Sequence, residues 1–366
     1  MYDIIIAGAG LYGAVFAHQA HLRGRKCLLV EKHPHKGGNL WCDTVDDIRV
    51  HAFGAHIFHT SSEEVWNYVN RFVRFNHYIN SPVANFCGKL YNLPFNMNTF
   101  YQLWGVTTPA AAMAEIERQR RQYATDNPSN LEEMALSLAG HDIYYKLIKG
   151  YTEKQWGKPA CQLPAFIIRR LPFRFTFDNN YFNDPFQGIP IGGYNPLIDA
   201  LTDGIEVRLN TDFLIQKTAL LRQTRLTVYT GEIDRYFDCC FGKLDYRSLR
   251  FEHEYMPDTA NYQGNAVINY TDAETPYTRI IEHKHFEFGR QRGTVITREY
   301  PLSGNDIHEP YYPVNDAKNG QLFSKYQALA AADSHLHFGG RLGNYSYYNM
   351  DQVVAAAIAD SHRLLD

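Results

Sequence analysis

A glycine-rich turn near the start of the chain constrains its fold more than any other feature. Residues 3–7 form a mostly apolar run, which is typical of a strand buried on both faces. Gly8, Gly10 and Gly13 follow with the spacing G-x-G-x-x-G and open a helical stretch, and residues 26–30 form a second strand-like run. Glycines at these positions allow a tight turn and let backbone N–H groups approach a pyrophosphate. The pattern therefore predicts a βαβ unit that binds a dinucleotide.

Two features after this unit indicate which dinucleotide it binds. Glu31 ends the second strand, where an acidic side chain accepts hydrogen bonds from ribose hydroxyls. Gly37, Gly38 and Asn39 then form a second glycine turn, and an extended FAD needs such a second backbone approach more than NAD does. A solvated glycine turn is the alternative. The pattern resembles the FAD-containing amine-oxidase-like flavoproteins.

Composition and charge exclude several classes of protein. The 366 residues are 45% hydrophobic and 20% charged, which predicts a globular protein of two or three domains at about 100–200 residues each. The 36 basic and 39 acidic residues nearly cancel, so we expect no nucleic-acid partner. No apolar run approaches the about 18–20 residues of a membrane span. The first residues lack the basic region of a signal peptide, so we expect a cytoplasmic location.

The six cysteines form no C-x-x-C pair, which argues against structural zinc and redox dithiols. His56 and His59 lie three residues apart without the glutamate of H-E-x-x-H. We therefore predict no metal site. These two histidines are expected to face a pocket or to be satisfied in the core.

The segment from about 108 to 150 has helical signals. Thr108 and Pro109 form a helix start with a capping residue and proline at the first helical position. Residues 129–132 have the spacing of a capping box that begins at Ser129. Gly140 and Gly150 are typical helix stops. The interpretation is an inserted helical bundle.

Short β runs follow at 266–270, 278–286 and 294–299, with turn residues between them, and predict an antiparallel sheet. The chain closes with a strand at 336–338 and a helix from about Met350, both expected to return to the first sheet. The predicted fold is therefore α/β, in three units. They are a discontinuous Rossmann-like FAD-binding domain (1–80, 190–244 and 330–366), a helical domain (96–176) and an antiparallel sheet domain (81–95, 177–189 and 245–329).

Aromatic and basic residues in the later part of the chain suit a nucleotide. Residues 151–157 are expected to form a loop after the Gly150 stop, with aromatics that either stack on a nucleobase or anchor the loop. Arg170 and Arg279 lie in apolar or aromatic surroundings, where each pairs with a diphosphate or with an internal carboxylate. Asn349 precedes the last helix, whose N-terminus carries partial positive charge and would stabilise an anionic reduced flavin if it points at the pyrimidine end of the flavin.

Several long stretches resemble the bacterial UDP-galactopyranose mutase family almost from end to end. These stretches are Gly54–Thr60, Gly150–Gly157, Pro276–Ile280, Pro310–Pro313 and Gly340–Leu342. The resemblance implies the three-part fold above, a homodimer and an isomerase that serves galactofuranose biosynthesis.

The resemblance also implies a non-redox use of a redox cofactor. Reduced FAD, maintained by an external reductant, attacks the anomeric carbon of UDP-galactopyranose through its N5, and UDP leaves. A flavin iminium forms as the sugar ring opens. The sugar then recloses through its 4-hydroxyl as UDP-galactofuranose.

The same resemblance assigns roles to individual residues. Arg170 and Arg279 would bind the diphosphate, and His56 would lie beside the flavin N5. The implied substrate contacts are Asn80, Tyr151, Thr152, Trp156, Tyr181, Asn269, Tyr312, Tyr347, His59 and Asn349. The implied cofactor contacts are Gly8, Gly10, Tyr12, Gly13, Glu31, Lys32, Gly38, Asn39, His56, Arg341 and Met350.

Two departures from the family pattern bear on substrate choice. The family commonly has Asp where this chain has Asn349, near the substrate phosphates and the flavin, and Pro or Gly is frequent where this chain has Ala55. One alternative is a mutase for another nucleotide sugar, such as UDP-N-acetylgalactosamine or a thymidine-diphosphate 6-deoxysugar. The other is a flavin-dependent amine or hydroxyl oxidase.

Overall fold

The computed structural model describes residues 1–168, 173–302 and 309–366. The strands in this part of the chain are β1 Tyr2–Ala7, β2 Cys27–Val30, β3 Cys42–Val45, β4 Ile48–His51, β5 Phe58–Thr60, β6 Val83–Phe86, β7 Lys89–Asn92, β8 Phe186–Gly188, β9 Glu206–Arg208, β10 Thr224–Tyr229, β11 Tyr246–Met256, β12 Val267–Tyr270, β13 Arg279–Glu282, β14 Thr294–Leu302, β15 Tyr312–Pro313 and β16 Leu336–Phe338. The helices are α1 Leu11–Leu22, α2 Glu63–Val69, α3 Met97–Trp104, α4 Pro109–Arg120, α5 Leu131–Ala139, α6 His141–Ile143, α7 Gly150–Trp156, α8 Asn195–Leu201, α9 Lys217–Leu221, α10 Ile233–Tyr236, α11 Ala317–Ala331, α12 Gly340–Gly343 and α13 Met350–Leu365.

A five-stranded parallel sheet forms the Rossmann-like part of the molecule, with the order β16-β10-β1-β2-β9. The predicted βαβ opening is confirmed in β1, α1 and β2. The predicted return of the last strand and helix is also confirmed, because β16 pairs with β10 and α13 packs on α1. Residues from both ends of the chain therefore build one layer of the fold.

Helix α1 is buried almost all round rather than along one stripe. Ala14, Val15, Phe16 and Ala17 are fully buried in the core that α1 shares with α13. Gly13 permits this packing, because a Cβ atom there would lie 2.0 Å from the Gly8 carbonyl oxygen. The tight turn and the close helix–sheet approach thus depend on the same glycine motif.

A seven-stranded sheet forms the second layer, with the order β15-β11-β14-β13-β12-β6-β7. The predicted antiparallel sheet is confirmed, with one exception: β12 pairs with β6 in parallel. The strand predicted over 278–286 is shorter, since β13 ends at Glu282 and a 3₁₀ turn covers His283–Glu287.

Helices α3 to α7 form the predicted helical segment. Thr108 caps α4 as predicted, and Gly140 ends α5. The predicted cap at Ser129 is wrong by one residue. Asn130 is the N-cap, because its side chain accepts from the Glu133 N–H at 3.0 Å, while Ser129 donates to the Glu133 carboxylate. Asparagine is as good a cap as serine, and spacing alone does not separate them.

Gly150 is not a helix stop. A π-helical turn at Tyr144–Lys149 runs directly into α7, which ends at Gly157. The predicted loop over residues 151–157 is therefore wrong, and most of it is helical. Glycine is required at 150 by packing, because a Cβ atom there would lie 2.4 Å from the Thr271 carbonyl oxygen.

Among the helices in the described ranges, none is both long and apolar enough to cross a membrane.

Candidate functional site

A long cavity opens at the carboxyl ends of β1, β2 and β10, where ligands bind in doubly wound sheets. Its walls come from the two glycine turns, from the segment after β2, from the segment after β9 and from the start of α13. The lining includes Gly8, Gly10, Gly13, Glu31, Lys32, Gly37, Gly38, Asn39, His56, Phe213, Arg341, Tyr348 and Met350.

The two glycine turns lie against each other in the middle of this cavity. Gly10 and Gly37 form a parallel β-bridge, and the Gly37 N–H donates to the Ala9 carbonyl at 2.8 Å. Gly8 has a φ of +107° and a Cβ atom there would lie 2.0 Å from the Thr230 Oγ1. A Cβ atom at Gly10 would meet no atom within 4 Å. Bare backbone therefore faces the cavity where a pyrophosphate would lie.

Glu31 is buried at one end of the cavity and holds the first glycine turn. Its carboxylate accepts from the Ala9 N–H at 2.8 Å and from the His33 N–H at 3.0 Å. Lys32, beside it, pairs with Glu309 at 2.8 Å. An acidic group held at this position suits the ribose of an adenosine.

Tyr12 lines the cavity but its hydroxyl points elsewhere. The hydroxyl donates to Asp360 at 2.6 Å and lies 3.1 Å from His337 Nε2. The side chain therefore ties α1 to α13 and β16, in addition to any contact with a cofactor.

His56, Arg341 and Met350 also line the cavity. The His56 Nδ1 lies 2.8 Å from the Gly54 carbonyl, which only accepts, so Nδ1 carries the proton and Nε2 is free to accept. Burial, together with the charges of Arg341 and Arg279, lowers the pKa of His56 to about 4. The imidazole is therefore neutral at physiological pH.

These features together fit FAD. Glu31 suits the adenosine and the glycine turns suit the pyrophosphate, which leaves the part of the cavity lined by His56 and Met350, its flavin end, for the flavin ring.

The seven-stranded sheet presents a row of polar side chains beside this flavin end. Strand register places Asn269 directly opposite Arg279, and Arg279 directly opposite Glu299. Phe251 lies opposite Glu299, and Arg247 shares the face of Phe251 because side chains alternate along a strand. Tyr312 lies opposite Arg247. One face of the sheet therefore carries two arginines, a glutamate, an asparagine and a tyrosine.

Arg279 is held from two sides. Its Nη2 donates to the Tyr151 hydroxyl at 2.5 Å, and its Nε lies 3.6 Å from the Glu299 carboxylate. Burial alone would lower the pKa of Arg279, but Glu299 and Tyr151 raise it above its ordinary value. The internal carboxylate considered as an alternative partner is thus present, and the guanidinium stays charged.

Sequence reasoning missed Arg247 and Glu299. The Arg247 Nη1 donates to the Trp156 carbonyl at 2.5 Å, and its guanidinium lies 5.0 Å from the centre of the Trp156 ring. Burial lowers the pKa of Arg247 to about 10. Alternation along a strand places residues 247, 249 and 251 on one face, which the sequence could have indicated. Only the sheet register shows that this face also carries Arg279.

Helix α7 stands against this sheet face because its backbone and side chains are anchored there. The Lys154 ammonium donates to the carbonyls of Tyr270, Thr275 and Tyr277 at 2.8, 2.9 and 3.1 Å. Burial lowers the pKa of Lys154 to about 8. Thr152 is buried within α7. The helix thereby holds Tyr151 and Trp156 beside the two arginines.

Tyrosines connect the sheet face to the cofactor cavity. The rings of Tyr312 and Tyr347 stack with centres 5.6 Å apart, and the Arg341 guanidinium lies 5.6 Å from the centre of the Tyr312 ring. The Tyr181 hydroxyl lies near enough to Arg279 to interact with its charge. The Tyr181 backbone N–H donates to the Asn80 carbonyl at 2.8 Å.

Two further predicted residues lie on the Tyr181 side. The His59 ring stacks on Phe182 with centres 3.7 Å apart, and its Nδ1 lies 2.5 Å from the Asp184 carboxylate. Asn80 adjoins them through its carbonyl. Asn349 is exposed at the start of α13, where its N–H donates to the Gln352 side chain at 2.9 Å. Arg170 lies outside the described residues.

Four buried polar atoms in this region have no hydrogen-bond partner among the residues that the structure describes. They are Asn80 Oδ1, Arg247 Nη2, Asn269 Oδ1 and Arg279 Nε. Buried polar atoms are normally paired, so their concentration here indicates a polar ligand, and two guanidinium groups favour an anionic one. Within the described ranges, no three His, Cys, Asp or Glu side chains are grouped as metal ligands.

The family profiles that match this chain cover both parts of the site. Residues 146–347 match the profile described as UDP-galactopyranose mutase, and residues 6–72 match that of an NAD(P)-binding Rossmann-like domain. The first match contains α7, the polar face of the sheet and Arg341, and the second contains the glycine turns.

The chain is similar to known proteins over almost its whole length. It is 39% identical to a probable UDP-galactopyranose mutase of Klebsiella pneumoniae, covering 99% of this chain and 94% of that protein. It is 35% identical to the dTDP-fucopyranose mutase of Escherichia coli, covering 98% of this chain and 97% of that protein. A crystal structure of reduced UDP-galactopyranose mutase has the same fold, with a TM-score of 0.74 at 15% identity, covering 100% of this chain and 96% of that chain.

Proposed function

Because this chain belongs to the UDP-galactopyranose mutase family, we propose that it is the isomerase that interconverts UDP-galactopyranose and UDP-galactofuranose with FAD as cofactor. The observation that carries the substrate assignment is the group of buried polar atoms around Arg247 and Arg279 that lack a hydrogen-bond partner among the described residues. This group lies beside the flavin end of the cofactor cavity, where a diphosphate leaving group would need cations.

Reduced FAD supplies the nucleophile for the anomeric carbon, through its N5, when it is bound. The protein's part is to orient the sugar toward that atom and to stabilise the leaving UDP. Arg279 is preorganised for this by Tyr151 and Glu299, and a planar guanidinium binds two phosphate oxygens at once. Arg170 is assigned the same role from sequence.

The tyrosines add uncharged donors near these cations. Tyr181, Tyr312 and Tyr347 surround Arg279 and Arg341, and a phenol hydroxyl donates to a phosphate oxygen without adding charge. Burial raises the pKa of Tyr312, so its hydroxyl keeps its proton while UDP leaves.

The uridine and the sugar take opposite sides of the diphosphate in this proposal. Trp156, Tyr151 and Thr152 on α7 would hold the uracil and its ribose, since a flat aromatic suits a nucleobase. Asn80, Asn269 and His59 would bind the sugar hydroxyls, where the Oδ1 atoms of both asparagines need donors. Asn349 would lie near the phosphates and the flavin.

His56 acts as a neutral hydrogen-bond acceptor at the flavin end. Its Nδ1 proton is committed to Gly54, and its low pKa keeps Nε2 free of a proton. Because the ring is neutral, it does not compete with Arg279 for the negatively charged UDP as it leaves.

A thymidine-diphosphate 6-deoxysugar is the second candidate substrate. The 35% identity to dTDP-fucopyranose mutase is close to the 39% identity to the probable UDP-galactopyranose mutase. UDP-N-acetylgalactosamine is a further candidate substrate, which the same assay can test. A flavin-dependent oxidase is the alternative outside this class.

The deciding experiment assays dithionite-reduced and oxidised protein against these three nucleotide sugars, with separation of products by chromatography. We expect conversion of UDP-galactopyranose by the reduced protein alone, with no oxidant consumed. Preferred conversion of another nucleotide sugar would move the assignment within the family. Reduction of the flavin by substrate, followed by turnover with oxygen, would indicate an oxidase.

We further propose that the protein is a cytoplasmic homodimer with the three units predicted from the sequence, reduced by an external donor. The homodimer rests on the resemblance to the family, and Tyr101, Met113 and Tyr145 of the helical segment, which are 56%, 48% and 37% exposed, are candidates for its interface. Light scattering with size-exclusion chromatography measures the assembly, and a monomeric mass would contradict it.

A further inference from the structure

A chain of hydrogen bonds runs from His56 into the seven-stranded sheet. The His56 backbone N–H donates to His51 Nδ1 at 3.2 Å, and the His51 backbone N–H donates to His283 Nδ1 at 3.2 Å. The His283 Nε2 lies 2.6 Å from Thr297 Oγ1, which lies 2.7 Å from His253 Nδ1. His51, His283 and Thr297 are buried, whereas His253 is exposed.

The direction of each hydrogen bond fixes a tautomer. An imidazole nitrogen that receives a backbone N–H must be unprotonated, so His51 and His283 both accept through Nδ1. The His283 proton is then on Nε2 and donates to Thr297, whose hydroxyl donates to His253. Burial lowers the pKa of His51 to about 3 and holds the pKa of His283 well below its ordinary value. The two buried rings are therefore neutral and locked.

His56 is clamped by this chain and by two further contacts. Its carbonyl accepts from the Tyr194 hydroxyl at 3.0 Å, and its Nδ1 donates to the Gly54 carbonyl at 2.8 Å. Tyr194 is fully buried, and His51 stacks on Phe286 with ring centres 4.7 Å apart. Backbone and ring of His56 are thus both fixed, with Nε2 toward the cavity.

The chain does not suit proton transfer. Two of its links are backbone amides, and an amide N–H does not release its proton at neutral pH. A proton entering at His253 could therefore not reach His56 by this route. What remains for the chain to do is to hold the backbone of the residue that lines the flavin end.

We propose that His51 and His283 are positioning residues, which hold the Gly54–His56 segment against the flavin end of the cavity. Through this segment they influence the affinity for FAD and the midpoint potential of the flavin. The proposal rests on FAD occupying that cavity but not on the identity of the sugar substrate.

The test compares two substitutions at His51. His51→Leu removes the acceptor and leaves the His56 N–H unpaired, whereas His51→Asn keeps an acceptor oxygen near the Nδ1 position. We expect His51→Leu to weaken FAD binding about tenfold or more, since an unpaired buried donor costs as much as a lost hydrogen bond. The FAD dissociation constant of His51→Asn should stay within about threefold of the wild-type value.

The readouts are the FAD dissociation constant, from titration of apoprotein, and the flavin midpoint potential. If His51→Leu weakens oxidised and reduced FAD unequally by tenfold, the potential moves by about 30 mV for a two-electron couple. Both readouts are independent of turnover. A wild-type protein inactive on UDP-galactopyranose would therefore contradict the proposed function while leaving this test intact.

A second variant serves if His51→Leu does not fold. Thr297→Val is nearly isosteric and leaves the His283 Nε2–H unpaired, so we expect the same direction of change in both readouts. His335→Ala is the matched control, because this exposed histidine lies outside the chain of hydrogen bonds, and it should not change either readout. Unchanged FAD binding and potential in folded His51→Leu or Thr297→Val would overturn the proposal. Equal impairment of His51→Leu and His51→Asn would also overturn it, since packing alone would then explain the effect.

Discussion

The Tyr151 hydroxyl accepts a hydrogen bond from the Arg279 guanidinium at 2.5 Å, which joins helix α7 to strand β13 across 128 residues of sequence. The contact fixes the guanidinium without neutralising it, since a phenol accepts as a neutral group. Among the described residues, Glu299 is the one carboxylate that forms an ion pair with Arg279. Its distance of 3.6 Å means that it offsets the charge of Arg279 only in part. Arg279 is therefore poised to bind a second anion.

Replacing Arg279 by alanine should remove most activity while FAD stays bound. A charge-assisted contact to a leaving diphosphate is worth about 2–4 kcal/mol in the transition state, or a loss of about 30- to 1000-fold in kcat/KM. Arg279→Lys should restore little, because an ammonium lacks the planar fork. Steady-state kinetics with reduced enzyme measures this loss.

Arg298→Ala is the matched control for this variant. Arg298 lies opposite Ile280 on the other face of the same sheet and pairs with Glu254 at 2.7 Å. It should keep kcat/KM within about twofold, as partly exposed ion pairs contribute little. If Arg279→Ala kept more than about a third of wild-type kcat/KM, the role of Arg279 would be structural.

Replacing Trp156 by alanine should weaken UDP binding far more than it alters the flavin spectrum. Stacking of a base on an aromatic ring is worth about 1–3 kcal/mol, which corresponds to about 5- to 150-fold in the dissociation constant. Trp156→Phe keeps a ring and should lose less. Calorimetric titration with UDP measures both, and an alanine variant with wild-type affinity would show that Trp156 only packs the helical segment.

Replacing Asn349 by aspartate should weaken UDP binding modestly. The added charge is exposed, so at about 5 Å from a phosphate in a water-like dielectric it costs about 0.8 kcal/mol, or about fourfold in affinity. Asn349→Ser keeps a capping oxygen without the charge and is the control. UDP titrations at matched salt compare the three proteins. Tighter binding by the aspartate variant would show that the sign of this charge effect is wrong.

Lowering the pH should destabilise the protein at pH values that are still above those at which carboxylates take up protons. The folded-state pKa values of His51 and His56 are about 3 and about 4, against an ordinary value of 6.5, and that of His283 is also lowered. The unfolded chain therefore binds more protons below pH 6.5. Each histidine contributes a loss of up to about 1.4 kcal/mol per pH unit as the pH falls.

The stability that these histidines give is thus complete above pH 6.5 and declines toward pH 4. Thermal unfolding followed by circular dichroism at pH 7.5, 6.5 and 5.5 measures the decline. The His51→Asn variant, with one such group fewer, should show a shallower dependence. A midpoint temperature equal at pH 6.5 and pH 5.5 would contradict the prediction.

The parts of the molecule that were predicted correctly depend on neighbours in sequence. The turn at Gly8–Gly13 and the first strand and helix follow from local periodicity and backbone conformation. The start of α13 at Met350 follows from the same kind of signal, with Gln352 capping the Asn349 N–H. Local rules sufficed because the residues that specify each of these elements lie within a few positions of it in the sequence.

Helix α7 could not be predicted because the reason for its glycine is distant. Gly150 is typical of a helix stop in sequence, but its missing Cβ serves the approach of Thr271, 121 residues away. Arg247 and Glu299 were missed for a related reason. Only the register of β11, β14 and β13 brings their side chains to one face, and register depends on pairing that no single strand specifies.

The contribution of β16 and α13 to the first sheet has a consequence for biosynthesis. The ribosome makes α1 long before α13, yet the two helices share one core, and Arg341 and Met350 line the cavity together with the early glycine turns. Until α13 is made, the side of α1 that packs on it stays exposed, whereas the helices between residues 97 and 168 make contacts with one another and can fold earlier. The complete cofactor cavity can therefore form only after α12 and α13 have been made, however early its glycine turns are available.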